Sequence, residues 1–514
     1  MKRTRRQSLQ AMIGTLGVVA LPRMSLANQT QISSIAMRFE QKVAKYPWLN
    51  VFQNAGAEHF PSEQATLYGK WPQDLEGRIF RTGPGHFERN GHRYQHWFDG
   101  DGLVQKWHFN GSSVHHQAQM VGTQKYLAEQ QKDVHLYDAF GTHLGLESVA
   151  VTQPDDLNTA NTSMCYHGNQ LWALWEAGSP HKIDQSDLST VGVKSFSAMT
   201  EGIAFSAHPR TDQKGHLWNF GYISGLGKLA LWEISKNGQL QQFALHDVDE
   251  ISMPHDFLVT ENYLVLLNSP LVYNPEKAGE VSFLDSHDWH PELPTQVIVI
   301  NKNDLNESFT VELPAQWVFH FTNAWEKNSE ITFEGCSYEG PAVMTEFFSQ
   351  LMEGKPTLSD RFASNLTRYR IDLKTRSVQQ ETLVDRSHNL EFPTIDRRQS
   401  AIRHTAMNCL SASRQERSAE DHMLLNTLVR MDMVNDQTQQ YVYPPTEIPE
   451  EHLFVPSPNR SRNHTGWVLG TSLDWKENKT KINVFDSEHI SDGPLATASV
   501  DRLMPLGLHG CYVH

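Results

Sequence analysis

Short runs of hydrophobic residues, most of them followed by polar turns, recur along most of the chain. Six examples are the segments 171–175 (LWALW), 229–234 (LALWEI), 263–267 (YLVLL), 296–300 (QVIVI), 366–371 (LTRYRI) and 481–485 (KINVF). Short strands with turn chemistry at their ends are typical of an all-β protein. Their recurrence favours the blades of a β-propeller, although no tryptophan–aspartate repeat is visible.

Helical spacing of apolar residues is confined to two segments. Residues 342–352 (AVMTEFFSQLM) predict one helix, and residues 34–43 predict a short helix ahead of the first strands. Neither a linker nor a shift in composition divides the rest of the chain. The pattern therefore predicts one all-β domain that extends from residue 28 to residue 514.

The first 27 residues predict an export signal. Residues 1–6 (MKRTRR) are basic, residues 11–21 are apolar, and residues 25–27 (SLA) resemble a cleavage site. The apolar run is too short for a membrane-spanning helix. Arg5 and Arg6 resemble a twin-arginine signal, although Ser8 stands where that signal usually has Phe, and an ordinary secretory signal is the alternative. We therefore expect a protein of the bacterial periplasm.

Charge and cysteine content narrow the class of protein further. The 514 residues include 44 basic and 59 acidic side chains, for a net charge of −15. Such an acidic chain disfavours nucleic acid and anionic membranes as partners. The four cysteines form no Cys-x-x-Cys pair and are too few for a disulfide framework, so we expect buried small hydrophobes, with a single bridge as the alternative. They are Cys165, Cys336, Cys409 and Cys511.

Four of the 26 histidines lie in apolar surroundings, in four separate segments. They are His208 (FSAHP), His255 (MPHDF), His320 (VFHFT) and His509 (LHG). Their separations of 47, 65 and 189 residues are too long for a compact zinc motif but suit a metal on the axis of a radially built β domain. Imidazole nitrogen binds iron, copper, zinc and nickel. Burying one unpaired imidazole costs about 1–3 kcal/mol, and a shared metal would remove that cost.

The remaining motifs predict no second site. Residues 99–102 (DGDG) resemble the start of a calcium loop, but Leu103 occupies the third ligand position and no Glu follows at the required distance. The sequence contains no His-Glu-x-x-His motif, P-loop or Gly-x-Ser-x-Gly turn. Seven other histidines are predicted to be surface or hydrogen-bonding groups: His86, His92, His96, His108, His115, His116 and His514.

Residues 77–85 (GRIFRTGPG), followed by residues 96–102 (HWFDGDG), resemble the N-terminal signature of the carotenoid cleavage oxygenases. The surroundings of the four histidines resemble the iron-ligand motifs of that family, in the same order. The resemblance extends from about residue 45 to the C-terminus. One departure lies at residues 462–466 (RNHTG), where the family usually has an acidic turn.

This resemblance implies a seven-bladed β-propeller with one Fe(II) per chain on its axis. The four histidines would hold the iron as the catalytic centre, beneath a dome of loops and helices that encloses a substrate tunnel. The resemblance further implies three carboxylates that accept hydrogen bonds from His255, His320 and His509. Such carboxylates fix the imidazole tautomer and raise ligand basicity. In that order they would be Glu176, Glu391 and Glu451.

The implied activity is cleavage of a carbon–carbon double bond by O2 to give two carbonyl products. Members of the family cleave carotenoids or apocarotenoids, or lignin-derived stilbenes. Stilbene cleavers bind the phenol with a Tyr and a Lys. Trp97 stands at that Tyr position and favours a polyene, whereas Lys125 is either that Lys or a surface charge. Phe257 and Phe319 are further candidate substrate contacts.

Three alternatives remain open at this point. A stilbene is the alternative substrate to a carotenoid or apocarotenoid. Zinc or copper is the alternative to iron on the same four imidazoles. A periplasmic propeller that binds its ligand without catalysis, with its histidines simply buried, is the alternative from another class. A hydrophobic polyene or stilbene substrate also implies a peripheral contact with a membrane.

Overall fold

The computed structural model describes residues 26–412, 421–458 and 465–514. These residues form seven antiparallel sheets of four or five strands, together with two small hairpins. One edge strand of each sheet contacts the corresponding edge strand of a neighbouring sheet. These edge strands therefore line a common axis, and the predicted all-β, seven-bladed propeller is confirmed.

Five blades are built from strands that follow one another in chain order, from the axis outward. Blade 2 contains Ser163–His167, Gln170–Leu174, His181–Ile183 and Thr190–Val193. Blade 3 contains Arg210–Thr211, Leu217–Ile223, Lys228–Ile234 and Leu240–Asp247. Blade 4 contains Phe257–Val259, Tyr263–Asn268, Thr295–Asn301 and Ser308–Leu313. Blade 5 contains Trp317–Lys327, Glu330–Tyr338, Asn365–Asp372 and Ser377–Val384. Blade 6 contains Glu391–Ile395, Ala406–Ser411, Thr427–Asp432 and Gln437–Val442.

The two remaining blades join the beginning of the chain to its end. Blade 1 contains Gly510–Val513, Glu76–His86, Asp101–Asn110, Val114–Met120 and His59–Gln64. Blade 7 contains Glu447–Pro456, Gly466–Asp474, Lys479–Asp486, Ala496–Val500 and Thr66–Gly69. In blade 1 the C-terminal strand Gly510–Val513 pairs with Glu76–His86, and in blade 7 the N-terminal strand Thr66–Gly69 pairs with Ala496–Val500. The two ends of the chain therefore close the ring at two neighbouring blades. The small hairpins are Leu271–Tyr273 with His287–Trp289, and Glu88–Arg89 with His92–Arg93.

The middle strands of the blades are apolar on both faces. In Lys228–Ile234, the side chains of Leu229 and Leu231 pack in a cluster shared with blade 4. Ala230 and Trp232 point the other way, into a cluster shared with blade 2. Successive side chains of a strand face opposite sides, so a sheet between two neighbours needs apolar residues at every position. This explains the unbroken apolar runs.

Helices are few. Helix α1 spans Leu26–Lys45 and is longer than the predicted segment 34–43. Helix α2 spans Gln124–Lys132 and was not predicted. The predicted helix at residues 342–352 is a π-helical turn, Val343–Phe347, followed by helix α3, Phe348–Met352. Single 3₁₀ turns occur at Pro47–Phe52, Trp97–Asp99, Gly145–Glu147, Pro154–Leu157, Ser224–Leu226, Pro275–Lys277, Leu284–Ser286, Asp360–Phe362, Arg397–Gln399 and Ile490–Asp492.

All four cysteines are buried and unbridged, as expected for small hydrophobes. Burial raises the pKa of the Cys165, Cys409 and Cys511 thiols to about 12. In the described part of the chain, each helix lacks the combination of length and apolar character that crossing a bilayer requires. The predicted export signal at residues 1–27 lies almost entirely outside the described residues, as does most of segment 462–466.

Candidate metal centre

The four candidate histidines converge on the propeller axis. His208 and His255 each lie two residues before the first strand of blades 3 and 4, and His320 lies within the first strand of blade 5. His509 directly precedes the C-terminal strand of blade 1. One nitrogen from each ring lies within 4.8 Å of the corresponding nitrogen of the others.

The separations of these nitrogens suit a single ion. Nε2 of His255 lies 3.0 Å from Nε2 of His208 and 3.2 Å from Nε2 of His320. Two imidazoles bonded at about 2.1 Å and at a right angle to each other hold their nitrogens about 3.0 Å apart. The residues present therefore fit a metal ion of the first transition series.

Burial favours the neutral, metal-binding form at two of the four imidazoles. Burial, together with the neighbouring imidazoles, holds the pKa of His208 well below its usual value. Burial also lowers the pKa of His320. Burial acts in the same direction on His255, but the adjacent carboxylate of Glu176 outweighs it and raises the pKa. Neutral rings offer a free lone pair, which is the form that binds a metal.

Three of the imidazoles contact a carboxylate through their other nitrogen. Nδ1 of His255, His320 and His509 is the contact atom in each case. If these atoms carry the protons, the Nε2 lone pairs are left for the centre. The structure thus brings together the three expected pairs: Glu176 Oε1 at 3.1 Å, Glu391 Oε2 at 2.6 Å and Glu451 Oε1 at 2.9 Å.

The carboxylates come from the three blades that supply no histidine. Glu176 follows a strand of blade 2, Glu391 opens the first strand of blade 6, and Glu451 lies in the first strand of blade 7. Each of the seven blades therefore contributes one group to the centre. Six of these groups lie on or just before the first strand of their blade, and Glu176 follows the second strand of blade 2.

Two of these carboxylates are themselves held in place. The hydroxyl of Tyr338 donates to Glu391 Oε1 over 2.6 Å. The backbone N–H of Gly510 donates to Glu451 Oε2 over 2.9 Å. Burial raises the pKa of Glu451, but His509 and the nearby Arg81 outweigh that effect and bring it to about 2. Glu451 is therefore ionised at neutral pH.

An ion pair that the sequence analysis missed ties three histidine segments together. The Arg210 guanidinium donates to both carboxylate oxygens of Asp256, and it also donates to the carbonyl oxygen of Phe321 over 2.8 Å. Asp256 in turn accepts from the N–H of Phe321 over 2.9 Å. These residues lie within two positions of His208, His255 and His320. The sequence contained a signal for this ion pair, because Arg210 and Asp256 have opposite charges and lie close to the candidate ligands His208 and His255.

Arg81 performs a similar role on the opposite side of the axis. Its side chain is 1 % exposed and donates to the carbonyl oxygens of Leu508, over 2.5 Å, and Glu451, over 2.6 Å. Its Nε atom also lies 3.8 Å from a carboxylate oxygen of Glu450. It therefore connects blade 1, the first strand of blade 7 and the segment that carries His509. Arg81 belongs to the GRIFRTGPG signature.

A cavity of about 1720 Å³ opens onto the histidines. His255, His320 and His509 lie in its wall, which is mainly apolar. Phe319 stands beside His255, with ring centroids 4.9 Å apart, and Phe98 follows at 6.3 Å from Phe319. Further aromatic side chains in the wall are Trp97, Phe140, Trp175, Tyr222, Tyr273, Phe283, Trp317, Tyr338, Phe347, Phe348, Phe362 and Phe392.

Of the four candidate substrate contacts, Trp97, Lys125 and Phe319 lie in the cavity wall. Phe257 is not one of the wall residues and is corrected to a core residue. Its ring packs between blades 3 and 4, 5.2 Å from the ring of Phe220. The sequence pattern could not assign its direction, because the first strand of blade 4 is apolar on both sides.

The interpretation of Lys125 as a surface charge is wrong. Lys125 is 1 % exposed, and its ammonium lies 2.8 Å from Asp101, 3.1 Å from Glu129 and 2.6 Å from the Tyr94 hydroxyl. An ammonium has three N–H donors, and these partners occupy all three. Although Lys125 reaches the cavity wall, its charge is neutralised. Asp101 also forms an ion pair with Arg89 at 2.8 Å, so this aspartate of the DGDG motif pairs with two side-chain cations.

Two of the seven histidines predicted to be surface or hydrogen-bonding groups are fully buried. Nε2 of His96 lies 2.9 Å from the Met344 carbonyl oxygen, and Nε2 of His116 lies 3.1 Å from the Gln105 side-chain oxygen. Burial lowers the pKa of His96 to about 4 and that of His116 to about 3, so both rings are neutral. Both act as hydrogen-bonding groups within the core.

Residues 52–514 match the family model described as RPE65, retinal pigment epithelial membrane protein. The chain is a member of this family, the carotenoid cleavage oxygenases. The apocarotenoid-15,15'-oxygenase of Synechocystis sp. is 28 % identical over 481 residues, which are 90 % of this chain and 96 % of that one. The isoeugenol monooxygenase of Pseudomonas nitroreducens is 24 % identical over 459 residues, 87 % and 93 % of the two chains.

The solved structures agree with this assignment. The cobalt-substituted Synechocystis apocarotenoid oxygenase superposes with a TM-score of 0.80 at 27 % identity, and covers 91 % of this chain and 98 % of its own. Relatives across the family are named as oxygenases, among them a carotenoid 9,10(9',10')-cleavage dioxygenase 1 of Pisum sativum that is 25 % identical over 88 % of this chain and 87 % of its own. This carotenoid cleavage oxygenase is therefore an enzyme, as predicted.

Proposed function

We propose that the protein is a non-haem Fe(II) oxygenase that cleaves a carbon–carbon double bond of a carotenoid or apocarotenoid with O2. Both oxygen atoms would end in the two carbonyl products, so the reaction needs no further co-reactant. The observation that carries the proposal is the four-imidazole centre opening directly into a large aromatic cavity.

Iron suits the donor set. Four neutral imidazoles leave the full charge of a divalent ion in place, and imidazole is a ligand for iron, copper and zinc alike. The carboxylates of Glu176, Glu391 and Glu451 offset that charge and orient three of the rings. When bound, iron supplies the activation of O2 that organic side chains cannot provide.

The side chains of the protein would bind and orient the substrate and would exclude water. Phe319 and Phe98 form an aromatic row that begins at His255, which suits the flat face of a conjugated alkene. The cleavage releases no proton, so no general acid or base is required. Water exclusion by the apolar wall protects the centre from side reactions.

The size and wall of the cavity favour a polyene over a stilbene. Ordinary small-molecule pockets measure about 300–1,000 Å³, whereas this cavity measures about 1720 Å³. Trp97 offers an indole where a stilbene cleaver has a phenol-binding Tyr, and the donors of Lys125 are already occupied. Relatives named for apocarotenoid and carotenoid cleavage support the same choice.

Product analysis tests the function. We expect the purified protein to hold about one iron per chain and to convert carotenoids or apocarotenals into paired carbonyl fragments that carry label from ¹⁸O₂. Mass spectrometry of a panel that also includes hydroxystilbenes separates the candidates. Cleavage of stilbenes alone would favour the alternative substrate. Zinc or copper at full occupancy with no iron activation would contradict Fe(II), and a protein with neither metal nor product would favour a binding propeller.

We further propose that the protein reaches the bacterial periplasm by the twin-arginine route. The basic residues 1–6, the apolar residues 11–21 and the small residues at 25–27 support this location. We expect the mature chain in the periplasmic fraction to begin near residue 28, as read by N-terminal sequencing. Replacing Arg5 and Arg6 with lysine should retain the precursor in the cytoplasm. Unchanged export would indicate an ordinary secretory signal.

A further inference from the structure

The wall of the cavity contains one imidazole–carboxylate pair that is separate from the metal centre. His143 and Asp138 both line the cavity and lie on the same loop, which follows helix α2. Nδ1 of His143 is 3.0 Å from Asp138 Oδ2. Asp138 Oδ1 accepts the backbone N–H of Leu144 over 2.6 Å. The carboxylate therefore orients the imidazole, as the glutamates orient the histidines of the centre.

A continuous row of aromatic rings leads from the metal centre to this loop. Beyond Phe98, the row continues to Phe140, with ring centroids 6.2 Å apart, and then to Phe283, again at 6.2 Å. Phe283 is 37 % exposed, so the row ends near the entrance of the cavity. The side chains of His143 and Asp138 are 19 % and 32 % exposed, so the imidazole–carboxylate pair also stands toward the outer end of the cavity.

The loop is held in place from two sides. Asp99 accepts from the N–H of Gly141 over 2.8 Å and from the hydroxyl of Thr142 over 2.6 Å. The N–H of Leu284 donates to the carbonyl oxygen of Phe140 over 2.8 Å. Because the loop is anchored at residues 140–142, the imidazole that follows is positioned before any ligand arrives.

The imidazole retains one nitrogen for a ligand. Nδ1 of His143 faces Asp138, and within the described residues no hydrogen bond engages Nε2. That atom accepts a hydrogen bond from a hydroxyl when the ring is neutral and donates a hydrogen bond to a carbonyl when the ring is protonated. The hydrogen bond to Asp138 raises the pKa of His143 above its usual value, which favours the protonated form of the ring.

The charges of the wall exclude an anionic ligand. Lys125 is the only Lys or Arg among the described wall residues, and its ammonium is already paired. A carboxylate at this end of the cavity would be repelled by Asp138, and the charge of a protonated His143 is already paired with that same side chain. The carboxyl groups of the wall belong to Asp99, Asp138, Glu176, Asp249, Glu250, Glu280, Glu391 and Glu450.

We propose that His143, oriented by Asp138, binds a neutral oxygen at the end of the substrate and thereby sets how far the alkene enters the cavity. The ligand would be a long apolar chain that ends in a hydroxyl or carbonyl group, and not in a carboxylate. This inference rests on the proposed function, because it assigns the substrate end of the same cavity. His143 is thus a specificity-determining residue with no part in bond cleavage.

Matched substrates test this assignment. The metal-loaded protein is given polyenes of equal length that end in an alcohol, an aldehyde, a carboxylic acid or a hydrocarbon, and stilbene alongside 4-hydroxystilbene. For His143→Phe we expect kcat/KM to fall about tenfold for the alcohol and aldehyde, mainly through KM, and to stay unchanged for the hydrocarbon. His143→Gln, which keeps a hydrogen-bonding end, should retain most of the preference.

A second imidazole–carboxylate pair provides the control. His290 Nδ1 lies 3.0 Å from Glu292 Oε1 on the exposed surface, outside the described cavity wall. His290→Phe should therefore leave the ratio of kcat/KM between oxygenated and hydrocarbon substrates unchanged. An equal loss of kcat/KM on oxygenated and hydrocarbon substrates in His143→Phe would overturn the assignment. Wild-type cleavage of the carboxylic acid as efficient as that of the alcohol would overturn the charge argument.

The two stilbenes keep this inference separable from the proposed function. If only stilbenes are cleaved, the polyene proposal fails, and the hydroxystilbene-to-stilbene ratio then decides the role of His143. If nothing is cleaved, anaerobic quenching of tryptophan fluorescence by the same ligands gives the binding constants. A loss of about tenfold in affinity confined to oxygenated ligands in His143→Phe would support the site. An identical affinity in both proteins would refute it.

Discussion

Replacing His320 with alanine is expected to remove bound iron and to reduce alkene cleavage by about 10³-fold or more. The ring is one of four that meet within 4.8 Å, and its Nε2 lies 3.2 Å from that of His255. A metal ion contributes several kcal/mol to catalysis of this kind, which corresponds to three or more orders of magnitude in rate. Metal analysis by mass spectrometry and single-substrate kinetics on the same preparation measure both effects.

A graded variant separates ligand loss from general damage. Glu391→Gln keeps the shape of the partner of His320 but removes its charge, so we expect metal affinity to fall only about 10–100-fold. Excess iron should then restore activity to Glu391→Gln and not to His320→Ala. His290→Ala, on the exposed surface, should behave as wild type. Full iron content in His320→Ala would show that the ring does not bind the metal.

Replacing Arg81 with methionine is expected to lower the free energy of unfolding by about 3–5 kcal/mol. The guanidinium is fully buried beside the carboxylates of Glu450 and Glu451. Removing one partner of a buried ionic cluster leaves the remaining charges without compensation. The same change frees the Leu508 carbonyl oxygen, which lies next to His509, so metal affinity should also decrease. Denaturant unfolding of the metal-loaded and metal-free protein measures the two contributions.

The control for this variant is Arg78→Met. Arg78 lies on the same strand, Glu76–His86, but it is partly exposed and its guanidinium stands over the ring of Phe80. Surface replacements usually change stability by about 0.5 kcal/mol or less. If both variants lose equal stability, the cluster around Arg81 has no special role. A stable Arg81→Met variant with unaltered metal binding would show that backbone packing alone positions His509.

Much of the fold could be predicted because the strands are encoded locally. The apolar segments 229–234 and 263–267 predicted strands, and the structure has Lys228–Ile234 and Tyr263–Asn268 there. Helix α2 was missed because Gln124–Lys132 has few apolar residues, and only Tyr126 among them is buried in the core. A helix that packs through so little surface leaves almost no periodic signal.

The sequence by itself determined the strand pattern, the four histidine segments and the family signature, because each depends on residues close together in the chain. Only the tertiary structure decided which faces those residues present. In the structure, the side chain of Phe257 packs in the core, and Lys125 is buried among Asp101, Glu129 and Tyr94. The structure also pairs Arg210 with Asp256 and places His143 in the cavity wall. Such contacts join residues from different blades or from loops between them, and no local pattern encodes the closure of a ring.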